Sequence, residues 1–352
     1  MKRQSHALTL SLYFFAALLL AALLPVRLWQ QLGLVEPSGF WVEARHPTVY
    51  ALYAGLALLF LVPGALAFLH RGRTLLDLGR RQRLFEGVFA LLLAAAMLAD
   101  AYEACRFGMQ VFKNYTVHTL EPDYETLAGF QYFVRSGTVA ALAESVFGTL
   151  GAVFFANLFL VDCFPRKKTY LNRLTALAPL LWAVCRLLRR FSRTISYLRI
   201  SDLFLDLLML TALVVFFLAF AQTVSGINHE GKAPRLLAAG LPAAVLCLLT
   251  FVPRAAVYFF MGVSPVPQDA LIELCSPALA LFILAFLLGR VVTAEPGEAQ
   301  PALPLPQEET APAQEEEEAA AEEVPAEEPA EEEPAEEPQP EAEQAAAEEP
   351  QA

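Results

Sequence analysis

The sequence has few of the residues and motifs by which enzymes and metal proteins are recognised. Its five cysteines show no C-x-x-C spacing, and its five histidines are far apart. There is no G-x-x-x-x-G-K-[ST] loop, no H-E-x-x-H motif and no G-x-S-x-G turn. A disulfide framework, a zinc site, nucleotide-driven transport and serine hydrolysis are therefore unsupported. We expect a non-enzymatic protein without a cofactor.

Basic residues are absent from the last 62 positions. Residues 291–352 contain 21 Glu, 11 Pro and 16 Ala, whereas residues 1–290 hold all 25 Lys and Arg against 16 acidic residues. The net charge of −12 therefore joins a body of charge +9 to a tail of charge −21. Such a tail buries no core and is predicted to be disordered. This charge excludes nucleic acid as a partner of the whole protein and suggests a basic protein partner for the tail.

Long apolar runs fill most of residues 1–290. A helix needs about 20 apolar residues to cross the hydrocarbon core of a bilayer. The sequence therefore predicts an all-α, polytopic transmembrane helix bundle within the lipid bilayer. Seven spans are expected, near residues 8–28, 48–70, 84–104, 139–162, 203–225, 236–261 and 270–290.

One further segment, 174–190, is ambiguous. Its twelve-residue apolar core, LTALAPLLWAVC, is followed by Arg186, Arg189 and Arg190. Twelve apolar residues are too few to span unless Arg186 snorkels towards an interface. The alternatives are an eighth span or a basic helix that lies in the membrane interface.

Basic residues in short loops predict the orientation. The 71–83 linker has five arginines and the 164–173 linker has four Lys or Arg, whereas the 29–47 loop has only Arg45. We therefore expect a cytoplasmic amino terminus. With seven spans, and with Arg254 left aside as intramembrane, 16 basic residues are cytoplasmic against 8 external, and the tail lies outside. With eight spans the count is 14 against 10, and the tail lies in the cytoplasm. The charge rule thus favours seven spans.

Ionisable residues inside spans are costly, so each suggests a functional site. In the third span Glu86 and Asp100 share a face, as do Glu144 and Asp162 in the fourth. If these faces pack together, Asp100 and Glu144 approach each other in the outer leaflet. They would then form a proton or cation site, or else be ordinary carboxylates at helix ends that reach water.

A second group of charged residues lies near the ends of the later spans. Asp206 is near the start of one span, Arg254 near the end of the next, and Glu273 at the start of the last. Asp206 or Glu273 is the expected partner of Arg254, and Arg186 could join them. Such a pair fixes the packing of helices, or lines a ligand or ion pathway.

Three stretches carry a resemblance to known sequences. They are PLLW at 179–182, RLL at 186–188 and ISYLRISD at 195–202. Together they resemble uncharacterised multipass membrane proteins of clostridia-type bacteria. The resemblance implies a bacterial cytoplasmic membrane and carries no activity with it.

Two functions remain open at this point. The first is a sensor, scaffold or accessory subunit that interacts through its acidic tail. The alternative is a proton- or cation-coupled transporter that uses the intramembrane carboxylates.

Overall fold

A computed structural model describes twelve segments of the chain: residues 4–5, 7–35, 41–42, 45–70, 74–76, 84–118, 132–134, 136–164, 174–192, 201–225, 232–261 and 274–294. Eight helices of fifteen or more residues lie within them: α1 (Ala7–Gly33), α2 (Pro47–Leu69), α3 (Leu84–His118), α4 (Thr138–Cys163), α5 (Ala178–Ser192), α6 (Ser201–Val224), α7 (Lys232–Met261) and α8 (Cys275–Arg290). Glu273 and residues 295–352 of the acidic tail lie outside the described residues. The prediction of disorder for 291–352 is wrong for residues 291–294, which form a β-strand paired with two other segments, with Val291 fully buried.

Six of these helices, α1 to α4, α6 and α7, are long and apolar enough to cross a membrane. Helix α8 is also apolar but has only 16 residues, which corresponds to about 24 Å. Helix α5 has 15 residues and carries Arg189 and Arg190 in its last turn. The predicted class, a helical protein that spans a membrane, is confirmed.

Helix α3 is longer than its predicted span of 84–104. It continues through Cys105 to His118 and contains 35 residues. The sequence between these two positions has no proline, so nothing interrupts the backbone hydrogen bonds. The apolar composition marks only the part of a helix that can lie in the bilayer, and the helix extends beyond it.

A small antiparallel sheet joins three distant parts of the chain. Strands β1 (Gln4–Ser5), β2 (Thr74–Leu76) and β3 (Val291–Ala294) lie in the order β1–β3–β2. Gln4 pairs with Ala294, and Thr74 pairs with Thr293. The start of α1, the α2–α3 connection and the end of α8 therefore lie together. We call this the sheet end of the bundle.

The beginning of α7 also lies near the sheet end. A Cβ atom on Gly240 would lie 3.0 Å from Leu287 Cδ1 in α8 and 2.9 Å from Phe216 Cδ2 in α6. Leu287 is three residues before the end of α8 at the sheet end. Helix α7 thus runs from the sheet end towards the opposite end, and α6 runs the other way.

An aromatic core holds α4, α6 and α8 together. Its ring centroids are 4.9 to 6.5 Å apart, mostly edge to face. Such pairs are favourable beyond the area they bury. The rings, all buried, belong to Phe154, Phe155, Phe216, Phe217, Phe220, Phe282 and Phe286.

Helices α3, α4 and α5 come close at a glycine. A Cβ atom at Gly148 in α4 would lie 3.2 Å from Ala101 Cβ in α3 and 3.2 Å from Trp182 Cδ1 in α5. Small residues at such points allow helix backbones to approach. Gly148 therefore sets the distance at which α5 packs against α3 and α4.

We expect Gly148→Leu to lower the thermal unfolding temperature of the purified protein in detergent. Overpacking of a close contact costs about 1–3 kcal/mol. Gly64→Leu is the matched control, because a Cβ atom at Gly64 would meet nothing within 4 Å. Equal unfolding temperatures for the two variants would contradict this prediction.

Candidate functional site

One group of buried charges lies between α3, α4 and α5. Arg186 Nη1 is 2.5 Å from Asp100 Oδ1 and 3.1 Å from Glu144 Oε1. Arg186 is 2% exposed and Glu144 is fully buried. With Trp182 and Arg189, these residues form what we call the central network.

Trp182 and Arg189 complete the contacts of the two carboxylates. Trp182 Nε1 donates a hydrogen bond of 3.0 Å to Asp100 Oδ2, and Arg189 Nε lies 3.1 Å from Glu144 Oε2. The Arg186 guanidinium also lies 5.3 Å from the centroid of the Trp182 ring, a favourable cation–π distance. Each of the four carboxylate oxygens thus has a nitrogen within 3.1 Å.

The spacing of the residues in α5 explains this arrangement. Trp182, Arg186 and Arg189 follow the i, i+4, i+7 pattern that places side chains on one helix face. That face packs on α3 and α4, where Gly148 makes room for Trp182. Helix α5 therefore turns its guanidinium groups inward.

A second cluster of charges joins α1, α5, α6 and α7. Arg254 Nη2 is 2.9 Å from Asp206 Oδ1, and Arg190 Nη2 is 3.7 Å from Asp206 Oδ2. Arg27 is completely buried, donates to Gln30 Oε1 at 3.3 Å, and interacts electrostatically with Arg254 and Asp206. We call Arg27, Arg190, Asp206 and Arg254 the distal cluster, since α7 reaches it far from the sheet end.

A third group lies at the sheet end. Arg290, the last residue of α8, places Nε 2.6 Å from Glu86 Oε1 and Nη2 3.0 Å from Asp162 Oδ1. Glu86 and Asp162 are 2% and 4% exposed. These three residues, the sheet-end triad, tie the end of α8 to the start of α3 and the end of α4.

The contacts expected from the sequence are present in part. Asp100 and Glu144 come together as predicted, and Arg254 pairs with Asp206. Arg186 lies between the two carboxylates of the central network and pairs with both of them. The prediction for Glu273 lies outside the described residues. Roles in binding or transport stay predictions for all of these residues.

Trp182 and Arg189 were missed in the central network, as were Arg290 in the sheet-end triad and Arg27 and Arg190 in the distal cluster. The helical spacing of Trp182 and Arg189 from Arg186 could have identified the first two. Arg290 ends the last apolar run, but it lies on the same side of the membrane as Glu86 and Asp162 only with eight spans. The seven-span prediction therefore hid this contact.

The helices and buried ion pairs define an integral membrane protein of the helical-bundle class. Within the ranges that the structure describes, no group of three His, Cys, Asp or Glu side chains is placed to hold a metal ion. No protein-family model matches the chain, and neither a curated protein nor a solved structure matches it. Proposals about function therefore depend on the geometry of the chain itself.

We expect Arg186→Met to destabilise the bundle by about 3–5 kcal/mol, because removing one partner leaves buried charge uncompensated. The measurement is thermal or denaturant unfolding in detergent, with Arg106→Gln, at an exposed position of α3, as the control. Combining Arg186→Met with Asp100→Asn and Glu144→Gln should restore part of the loss. A triple variant less stable than Arg186→Met would contradict the structural role of the central network.

Proposed function

We propose that this chain is a non-enzymatic membrane protein that holds its acidic tail on the cytoplasmic side, where the tail recruits a basic partner. The observation that carries the proposal is the sheet end. There β3, which comprises the first four residues of the tail, pairs with both β1 and β2. The tail therefore starts beside the amino terminus and the basic 71–83 linker.

An even number of crossings is part of this proposal. Helices α1 to α4 return the chain to the sheet end, where Asp162 meets Arg290. Helix α6 begins at the opposite end, where Asp206 meets Arg254. The chain from Phe164 to Ser201 has to connect these two ends, and α5 is the one long helix described within it.

Contacts between α4 and α5 support the direction of that crossing. Arg186 meets Glu144, and Trp182 and Pro179 meet the positions of Gly148 and Gly151. Residue numbers rise along α5 as they fall along α4, so the two helices are antiparallel. We therefore propose a four-plus-four arrangement of eight segments in place of seven.

The charge rule favoured seven spans because it counted every arginine except Arg254 as a loop charge. Arg186, Arg189, Arg190 and Arg290 instead form ion pairs with largely buried carboxylates. Without these four, the cytoplasmic and external counts become 13 and 7 in both arrangements. The rule then no longer separates seven from eight, and the position of β3 favours eight.

We expect topology reporters fused after Gly231 and at the carboxyl terminus to report the same, cytoplasmic side. Green fluorescent protein, which fluoresces inside, and alkaline phosphatase, which is active outside, give opposite signals at each site. A reporter after Arg45 should give the external pattern and serves as the control. Phosphatase activity at the carboxyl terminus would contradict the proposed side of the tail.

The composition of the tail suggests its partner. A charge of −21 within 62 residues attracts basic surfaces and speeds their association at low salt. In our proposal Asp100 and Glu144 have a structural role in the central network. They do not bind a coupling proton or cation.

We expect deletion of residues 295–352 to abolish capture of cytoplasmic basic proteins by the full chain in nanodiscs. A tail of equal length with every Glu replaced by Gln is the matched control, because it removes charge alone. Both changes should reduce capture to background, and salt should weaken capture by the native tail. Association that survives the deletion would overturn the recruiting role.

The alternative function, coupled transport, has its own test. Substrate uptake into vesicles that is lost with Asp100→Asn or Glu144→Gln would favour coupled transport.

A further inference from the structure

A groove on the outside of the bundle lies between α2, α6 and α7. Its volume is about 400 Å³, and most of its lining is aliphatic or aromatic, including Phe60, Leu208, Val215 and Leu218. Thr211 also lines it, but its hydroxyl donates to Leu207 O in its own helix at 2.7 Å. The long part of the groove therefore presents an apolar surface.

The groove is polar at one end only. Gln222 in the last turn of α6 and Arg235 in the first turn of α7 line it there. Arg235 is exposed, and among the described residues it has no ion-pair partner. This end is the sheet end, because α7 begins there.

The dimensions fit one acyl chain. The lining residues of α6 run from Leu208 to Gln222, which is about 21 Å along a helix. One leaflet of a hydrocarbon core about 30 Å thick is about 15 Å deep. A chain whose headgroup lies beside Arg235 can therefore follow the groove through its leaflet.

We propose that this groove binds one anionic phospholipid, with an acyl chain between α2, α6 and α7 and its phosphate at Arg235. The guanidinium group forms paired, charge-assisted hydrogen bonds with phosphate oxygens. Basic sites between helices on the cytoplasmic side select anionic headgroups in this way. The site is separate from the recruiting role of the tail and is tested without it.

The test is native mass spectrometry of the full-length chain, delipidated in detergent and titrated with phosphatidylglycerol or with phosphatidylcholine of the same acyl chains. We expect one phosphatidylglycerol to bind more tightly than phosphatidylcholine. Arg235→Gln should weaken the binding of phosphatidylglycerol about fivefold to tenfold and leave phosphatidylcholine unchanged. Arg106→Gln, which removes an exposed arginine outside the groove, is the control for charge.

A second variant tests the apolar part. Ala238→Phe fills the groove from α7 and should remove the tightly bound lipid, whereas Ala95→Phe, at an exposed site on α3, should not. Equal affinity of the native chain for the two lipids would overturn the proposal. Equal losses from Arg235→Gln and Arg106→Gln would overturn it too.

Discussion

A charge removed from water has to be paired, and this constraint explains how α5 fits among apolar helices. The helix is short and carries Arg186, Arg189 and Arg190, so it is a poor span by itself. Asp100 and Glu144 would be equally costly if they faced lipid. Packing α5 on α3 and α4 pairs Arg186 and Arg189 with these carboxylates, because each carboxylate oxygen has a nitrogen within 3.1 Å in the central network. Arg190 is paired with Asp206 instead. The polarity of α5 is therefore compatible with a place inside the bundle.

The same constraint acts on α8, which is apolar but short. Its last residue, Arg290, is held by Glu86 and Asp162, and the chain continues directly into β3. Ion pairs and strand pairing thus anchor an end that helix length alone would leave poorly defined. A fixed end gives the acidic tail a defined starting point.

The sequence predicts the class and the positions of the long helices well, because apolar length is a local property. It also places Asp100 near Glu144 and Asp206 near Arg254, since helical periodicity and span ends are enough for that. It fails where distant parts of the chain meet. The pairing of Gln4 with Ala294 could not be predicted, because strands of two to four residues are too short to show an alternating apolar pattern. The charge rule likewise cannot tell a loop arginine from one that a carboxylate partner has neutralised.

The sheet end combines two features of opposite charge, and their electrostatics separate their partners. An anionic leaflet attracts the exposed Arg235 but repels a segment of charge −21. Anionic lipid is therefore a suitable ligand for the groove but not for the acidic tail. Screening limits such forces to about 8–10 Å at physiological salt, so the repulsion acts only on charges close to the lipid surface. We therefore propose a basic protein in the aqueous phase, and not the lipid surface, as the partner of the tail.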